Sequence, residues 1–281
     1  MTFELLDFLS LPGDAAKPNE DAFGHDATSA VVLDGATPLG DGLMPGPSDA
    51  AWIAQFGVRR LLAHLRDGEG ARKALRGALA DAQKSFEALR RHPPEEMWQT
   101  PCASMMLAVA GEGGVEFLSF GDCAALMQPE GGAVMVVGET FDKRAAEAKR
   151  AQAIARERDL SPASGLSRPE FLGALRATRN RINSGNTWLF SPDAKAASHA
   201  GRRIVKAASG TKLLLASDGF LALASDYGAY GADSLMQAAV EKGLKSLSEE
   251  LRAIEAGDAG GDRFPRFKKS DDATALLLKI R

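Results

Sequence analysis

Short acidic motifs lie beside apolar segments along most of this chain of 281 residues. A carboxylate at the end of a buried strand is costly unless a positive group meets it, so the fold has to supply a cation. Two motifs are Asp-Gly pairs, Asp34 after V-V-L and Asp218 after L-L-L-A-S. Glycine permits a sharp turn that leaves a carboxylate and a backbone carbonyl at one edge. Far apart in sequence but alike in context, these motifs predict a single site for hard divalent cations.

Two further motifs are pairs of adjacent acids. Glu20 and Asp21 follow P-N in a predicted loop, and Asp271 and Asp272 directly precede the apolar run A-T-A-L-L-L-K-I. Neighbouring carboxylates repel one another unless a cation lies close by. Each motif taken alone is typical of an ordinary turn or of a solvated acidic pair. Their combination favours the metal site.

The composition, 45% apolar and 25% charged, is that of a soluble globular protein. No apolar run is long enough for a transmembrane helix, and the first ten residues carry acids where a signal peptide needs bases. Two cysteines, Cys102 and Cys123, are too few for a disulfide framework. We therefore expect a cytoplasmic protein with no membrane partner and no nucleic-acid partner.

The charges are unevenly distributed along the chain. Residues 1–50 contain nine acids and one base, Lys17, whereas residues 141–182 contain ten bases and five acids. An acidic site beside a basic segment favours an anionic substrate. The basic segment is equally typical of a solvated helix surface.

Hydrophobic periodicity predicts one α+β domain over residues 1–281, with two sheets and helices on their outer faces. The segment at about 139–182 is predicted to be a helical, basic flap. Residues 104–138 are predicted to form an antiparallel meander. Strands are predicted at 2–9, 30–33, 104–110, 115–120, 124–128, 133–138, 187–190, 212–217 and 273–280. Helices are predicted from Ser48 to about 67 and at 71–91, 141–160, 169–182, 233–242 and 246–256.

The ordered set of acidic motifs resembles the metal-dependent Ser/Thr protein phosphatases of the type 2C (PPM) family. The resemblance extends over nearly the whole chain. It implies a β-sandwich of two mainly antiparallel sheets flanked by helix pairs. The matching segments are N-E-D-A at 19–22, V-L-D-G at 32–35, F-G-D-C at 120–123, A-S-D-G at 216–219 and S-D-D-A-T at 270–274.

The resemblance also implies a centre of two Mg²⁺ or Mn²⁺ ions, with a third ion in some members. In that centre a water between the ions attacks the phosphorus atom. The implied residues are Asp34 as the bridge, Asp218 and Asp271 at one ion, Glu20 and the Gly35 carbonyl at the other, Asp122 with Asp218 at the third, and Asp21 and Asp272 as supports.

The resemblance implies hydrolysis of phosphoserine or phosphothreonine in a partner protein. The family usually has an arginine that binds phosphate at the position of Ala16, and here the nearest base is Lys17. Lys17 is therefore the candidate phosphate-binding residue. Ala36 stands where many members place a histidine general acid.

Two other functions stay open at this stage. A catalytically weak member would bind a phosphoprotein or another partner through the basic flap. Alternatively, the substrate would be a small phosphorylated metabolite.

Overall fold

Two five-stranded antiparallel sheets form the centre of the structure, a computed structural model that describes residues 1–139, 149, 153, 169–266 and 268–281. The first sheet has the order β1 (Phe3–Leu11), β10 (Ala273–Ile280), β9 (Lys212–Ala216), β6 (Ala124–Gln128) and β7 (Met135–Val137). The second has the order β2 (Asp21–His25), β3 (Ser29–Gly35), β4 (Ala103–Gly111), β5 (Gly114–Phe120) and β8 (Gly201–Val205). This architecture confirms the expected α+β sandwich.

The central strands are apolar on both faces, because one face of each sheet packs on the other sheet and the opposite face packs under helices. In β9, Leu213 and Leu215 pack between the sheets, whereas Leu214 and Ala216 pack under helices. The V-V-L run of β3 is divided in the same way. Continuous apolar runs, rather than alternation of apolar and polar residues, are expected for strands buried on both faces.

Helices cover the outer face of each sheet. The apolar stripe that predicts the helix at 71–91 is confirmed at Leu75, Leu79, Ala82 and Phe86, which are all buried, but it is wrong at Leu89, which is exposed at the end of the helix. The predicted cap at Ser48 is also confirmed, because its side chain accepts a hydrogen bond from the Ala51 N–H. The helices are α1 (Asp49–Arg66) and α2 (Ala71–Leu89) on the second sheet, α4 (Asp218–Ser225), α5 (Ala232–Lys242) and α6 (Leu244–Gly257) on the first, and α3 (Pro169–Arg179).

The predicted meander is wrong as a single unit. Strands β4 and β5 form a hairpin in the second sheet, but β6 and β7 belong to the first. Phe120 pairs with Met105 in one sheet, and Ala124 pairs with Ala216 in the other. The turn at Gly121 and Asp122 therefore carries the chain from one sheet to the other.

Three elements were missed by the sequence patterns, and one predicted strand is wrong. Strands β2 and β8 have five residues each, of which only two in β2 and one in β8 are buried, so they lack a clear apolar pattern. Helix α4 follows β9 almost directly, and its F-L-A-L-A sequence does not separate it from the strand. The segment 187–190 forms only isolated bridges, one of them between Phe190 and Ala103.

The predicted flap is described in part. The helix predicted at 141–160 lies outside the described residues except at Lys149 and Ala153, which are helical. The helix predicted at 169–182 is present as α3 and ends at Arg179. Among the described residues, every helix is too short or too polar to cross a membrane.

We expect Leu215→Ala to lower the free energy of unfolding by about 2–5 kcal/mol, because truncation leaves a cavity between the sheets. Leu215 is fully buried there, whereas Leu6 is 43% exposed. Leu6→Ala is the control, with an expected loss of about 0.5 kcal/mol or less. Urea denaturation of both variants measures the difference, and equal losses would contradict the two-sheet core.

Candidate metal centre

Three carboxylates from different parts of the chain meet at the junction of the two sheets. Asp34, Asp122 and Asp218 each offer one oxygen, and these oxygens all lie within 4.8 Å of one another. Asp34 is near the end of β3, Asp122 lies in the turn between the sheets, and Asp218 is the first residue of α4. The convergence predicted from the Asp-Gly motifs is therefore present for Asp34 and Asp218, with Asp122 beside them.

These three acids line a cavity of about 470 Å³, which we call the central cavity. Gly35 and Asp271 line the same cavity. Asp271 is thus near the three acids, although it is not part of their close cluster among the described residues.

A second cavity of about 790 Å³, the outer cavity, adjoins the central one. Glu20, Asp272 and Lys17 line the outer cavity and not the central one. Thr37, Lys268 and Asp271 line both cavities and so mark their boundary. The structure therefore distributes the predicted site residues over two connected spaces.

Both Asp-Gly glycines are required by close backbone contacts. A Cβ atom on Gly35 would lie 2.5 Å from the Ala50 carbonyl oxygen and 2.6 Å from that of Glu20. A Cβ atom on Gly219 would lie 2.0 Å from the Asp272 carbonyl oxygen. Glycine at these positions lets the four acidic motifs approach one another, which is a stronger requirement than a turn alone.

Hydroxyl groups hold several of the acids in place. Thr37 and Ser48 both donate to the Glu20 carboxylate. The measured donor–acceptor distances are 2.6 Å from Ser48 Oγ to Glu20 Oε1, 2.6 Å from Ser104 Oγ to Asp122 Oδ1, and 2.8 Å from Ser217 Oγ to Asp21 Oδ2. Such bonds to a charged acceptor are among the stronger ones in proteins.

Asp272 links the two ends of the chain. Its Oδ1 accepts the Gly13 N–H at 2.7 Å, and its Oδ2 accepts the Glu20 N–H at 2.6 Å. Both oxygens are acceptors, so a carboxylate fits here better than an asparagine side chain, which has one acceptor oxygen. Asp272 thereby fixes the loop that carries Lys17 and Glu20.

The buried acids of the centre repel one another, and a cation would relieve that repulsion. Burial, together with the charges of Asp218 and Asp21, raises the pKa of Asp34 well above its usual range. Burial raises the pKa of Asp21 to about 8. Asp21 lies directly opposite Asp34 in the β2–β3 pair, and its Oδ1 has no hydrogen-bond partner among the described residues. Buried oxygen donors in this arrangement fit hard divalent cations such as Mg²⁺ or Mn²⁺.

Lys268 is a residue of this site that the sequence patterns missed. Its Nζ lies 2.6 Å from Asp271 Oδ1. Burial alone would lower the pKa of Lys268, but the attraction of Asp271, Asp34 and Glu20 outweighs it and leaves that pKa raised. The only sequence signal was the K-K pair directly before S-D-D, in a segment predicted to be a loop.

Two arginines of the predicted flap serve a structural role. Arg176 donates to the Leu39 carbonyl oxygen and lies over the Trp98 ring at 4.1 Å. Arg179 donates to the Thr37 carbonyl oxygen at 2.6 Å. They attach α3 to the loop at 36–48, whose Thr37 and Ser48 hydroxyls donate to Glu20. Arg181 and Lys149 are exposed, and Lys143, Arg144 and Arg150 lie outside the described residues.

A family model described as protein phosphatase 2C matches residues 14–253. The chain belongs to the protein phosphatase 2C family. It is therefore a hydrolase of phosphomonoesters, and the resemblance seen in the acidic motifs is confirmed. A search of curated protein sequences found no match.

Solved phosphatases share the fold at low sequence identity. The Mycobacterium tuberculosis Ser/Thr phosphatase PstP/Ppp is 16% identical, with a TM-score of 0.58 over 100% of both chains. A PstP catalytic domain in complex with two manganese ions is 17% identical, with a TM-score of 0.54 over 100% of this chain and 99% of that one. The Mycobacterium smegmatis PPM phosphatase MsPP, in complex with cacodylate, is 18% identical, with a TM-score of 0.54 over 99% and 100%. At these identities the likeness concerns the fold.

We expect Asp272→Asn to destabilise the protein by about 1–3 kcal/mol, because the new amide group would face a backbone N–H that needs an acceptor. Divalent-ion affinity should fall as well, since the Glu20 loop loses its anchor. Denaturation and calorimetric Mn²⁺ titration measure the two effects. Asp262→Asn, at an exposed position, is the control. Unchanged stability in Asp272→Asn would show that the two N–H contacts are dispensable.

Proposed function

We propose that this protein phosphatase 2C member hydrolyses phosphoserine and phosphothreonine monoesters in a partner protein, with two Mg²⁺ or Mn²⁺ ions held by its acidic centre. The approach of Asp34, Asp122 and Asp218 to within 4.8 Å is the observation that carries the proposal. The two manganese ions of the PstP structure support the choice of ion.

The assignment of ligands follows the family pattern and the two cavities. Two ions bound there would activate water as the nucleophile and offset the negative charge of the phosphoryl oxygens. Asp272 and Asp21 would orient the ligand-bearing segments. The proposed ligands are Asp34 as the bridge, Asp218 and Asp271 at one ion, Glu20 and the Gly35 carbonyl at the other, and Asp122 with Asp218 at a third.

The two cysteines and Ser104 are poorly suited to attack phosphorus, which favours water as the nucleophile. Cys102 and Cys123 are both buried. Burial raises the pKa of each thiol, and the charges of Asp34 and Asp122 raise the pKa of Cys123 further. A buried thiol kept protonated is a poor nucleophile. Ser104 lines the central cavity, but its hydroxyl group already donates a hydrogen bond to Asp122.

The walls of the two cavities suit a phosphorylated side chain. Leu175, Ile182 and Leu189 line the central cavity together with its acids. Apolar lining residues accommodate the carbon atoms of a side chain, and ions held by the acids would receive the phosphoryl group. Lys17 is exposed on the outer cavity and has no hydrogen bond or ion pair from its side chain to a described residue, which leaves its charge available for phosphate.

We expect phosphatase activity to require a divalent ion and to fall by on the order of a hundredfold or more in kcat for Asp34→Asn, because the electrostatic stabilisation of the transition state is lost. Hydrolysis of an aryl phosphate and of a phosphoserine peptide, with Mn²⁺ or with excess chelator, measures this. Asp67→Asn, exposed at the end of α1, is the control. Full activity in chelator, or an unchanged kcat for Asp34→Asn at saturating Mn²⁺, would contradict the proposal.

Lys17→Ala should raise KM for phosphate esters by about three- to tenfold and weaken inhibition by free phosphate to a similar degree, because one cationic contact is lost. Mn²⁺ affinity should hardly change, since a charged lysine is not a metal ligand. Steady-state kinetics of Lys17→Ala and of Lys84→Ala, exposed on α2, make the comparison. An equal KM in both variants would mean that phosphate is held elsewhere.

The same assays separate the alternative functions. A wild-type protein that binds a phosphopeptide in Mn²⁺ without turning it over would be a binding module. Turnover of small phosphorylated metabolites with no turnover of phosphopeptides would identify a metabolite phosphatase.

A further inference from the structure

A lysine lies at the boundary between the central and outer cavities, and nothing in the function proposed above uses it. Lys268 forms an ion pair with Asp271, at 2.6 Å from Nζ to Oδ1. The two side chains are only 30% and 27% exposed, so water screens the pair incompletely. Lys268 also lines both cavities, together with Asp271 and Thr37.

The position of Lys268 is set by the loop before β10. Arg266, which is 6% exposed, donates to Asp258 Oδ2 at 2.8 Å, to the Phe264 carbonyl oxygen at 2.9 Å and to the Lys269 carbonyl oxygen at 3.0 Å. These contacts fix the backbone on both sides of Lys268. The ammonium group is therefore directed to the acids by a built loop rather than by the freedom of a surface side chain.

The other cations on the central cavity wall have different partners. Among the described lining residues, the cations are Arg179, Arg266 and Lys268. Arg179 donates to the Thr37 carbonyl oxygen, and Arg266 pairs with Asp258. Lys268 is thus the described wall cation that forms an ion pair with an acid proposed as a metal ligand.

We propose that Lys268 is a resident counter-ion of the metal centre, which stabilises Asp271 in the metal-free protein and weakens the binding of divalent ions. The inference rests on the proposed function, since it takes Asp271 as a metal ligand. Asp271 Oδ1 accepts from both Lys268 and the Asp272 N–H, so Oδ2 is the oxygen outside these bonds. A divalent ion at Asp271 must share the carboxylate with the ammonium group or displace it, and either costs free energy.

This coupling has two consequences of opposite sign. Removing the lysine charge leaves the acids without their counter-ion, so the metal-free protein should lose stability. The same change removes a positive charge that repels the incoming ion, so metal affinity should increase, by about fivefold or more on the usual scale of coupling between sites. If Lys268 served only to pack the loop, its replacement would lower both the stability of the metal-free protein and its affinity for metal.

The test uses the full chain stripped of metal. Lys268→Gln removes the charge and keeps a hydrogen-bond donor for Asp271, and Lys268→Met removes both. Lys268→Arg keeps the charge, and Lys245→Gln changes an exposed lysine of α6 that lines neither cavity, as a matched control. Calorimetric Mn²⁺ titration gives the affinity, and thermal unfolding in excess chelator gives the stability of the metal-free form.

We expect Lys268→Gln and Lys268→Met to bind Mn²⁺ about fivefold or more tightly than the wild type and to have a lower Tm in chelator. The Lys268→Arg and Lys245→Gln variants should stay within about twofold of the wild type, because the charge at the centre is unchanged in both. If Lys268→Met does not fold, Lys268→Gln decides the question. Wild-type Mn²⁺ binding with no gain in affinity for Lys268→Gln overturns this inference alone. A wild-type protein that binds no Mn²⁺ overturns the inference together with the proposed function.

Discussion

Repulsion among carboxylates at the junction of two sheets is the constraint on which the rest of this structure depends. Asp34 faces Asp21 across the β2–β3 pair. Asp122 approaches it from the turn between the sheets, and Asp218 approaches it from the start of α4, after β9 of the other sheet. Like charges in direct cross-strand positions are destabilising, and burial makes them more so. The packing of the apolar central strands between helices has to hold this arrangement in the absence of a cation.

The acids of the site divide into two groups by their contacts. Glu20, Asp21 and Asp272 are bound by hydroxyl or backbone N–H donors, which fix their orientation. Asp34 and Asp218 approach one another closely at the wall of the central cavity, where burial, the charges of Asp218 and Asp21 and a hydrogen bond with Asp218 raise the pKa of Asp34. In a metal site, hydrogen bonds from surrounding groups orient the ligands, and the ion balances the negative charge of those ligands. The two groups of acids fit this arrangement. The same contacts attach α3 to the site, because Arg179 binds the backbone of Thr37, whose hydroxyl donates to Glu20.

The sequence predicted those parts of the fold and site that depend on local pattern. The apolar runs before Asp34 and Asp218 identified buried strands that end in carboxylates, and the stripe from Leu75 to Phe86 identified α2. The proximity of Asp122 to Asp34 depends on the change of sheet between β5 and β6, which no local pattern records. Lys268 was missed for a similar reason, since its direction is set by the contacts of Arg266 with Asp258 and the loop backbone. The sequence left the basic segment of α3 open between a partner-binding surface and a solvated helix surface. Arg176 and Arg179 instead bind the carbonyl oxygens of Leu39 and Thr37, which only the folded chain brings within reach.

The central claim is that Asp34 and Asp218 converge to hold divalent ions. Anomalous diffraction at the manganese absorption edge, from crystals grown with Mn²⁺, tests it most directly. The account predicts at least two anomalous peaks beside Asp34, one on the side of Asp218 and one on the side of Glu20, each within about 2.0–2.2 Å of an oxygen of the Asp34 carboxylate. The absence of any peak at Asp34 and Asp218, with Mn²⁺ present in the crystals, would contradict it.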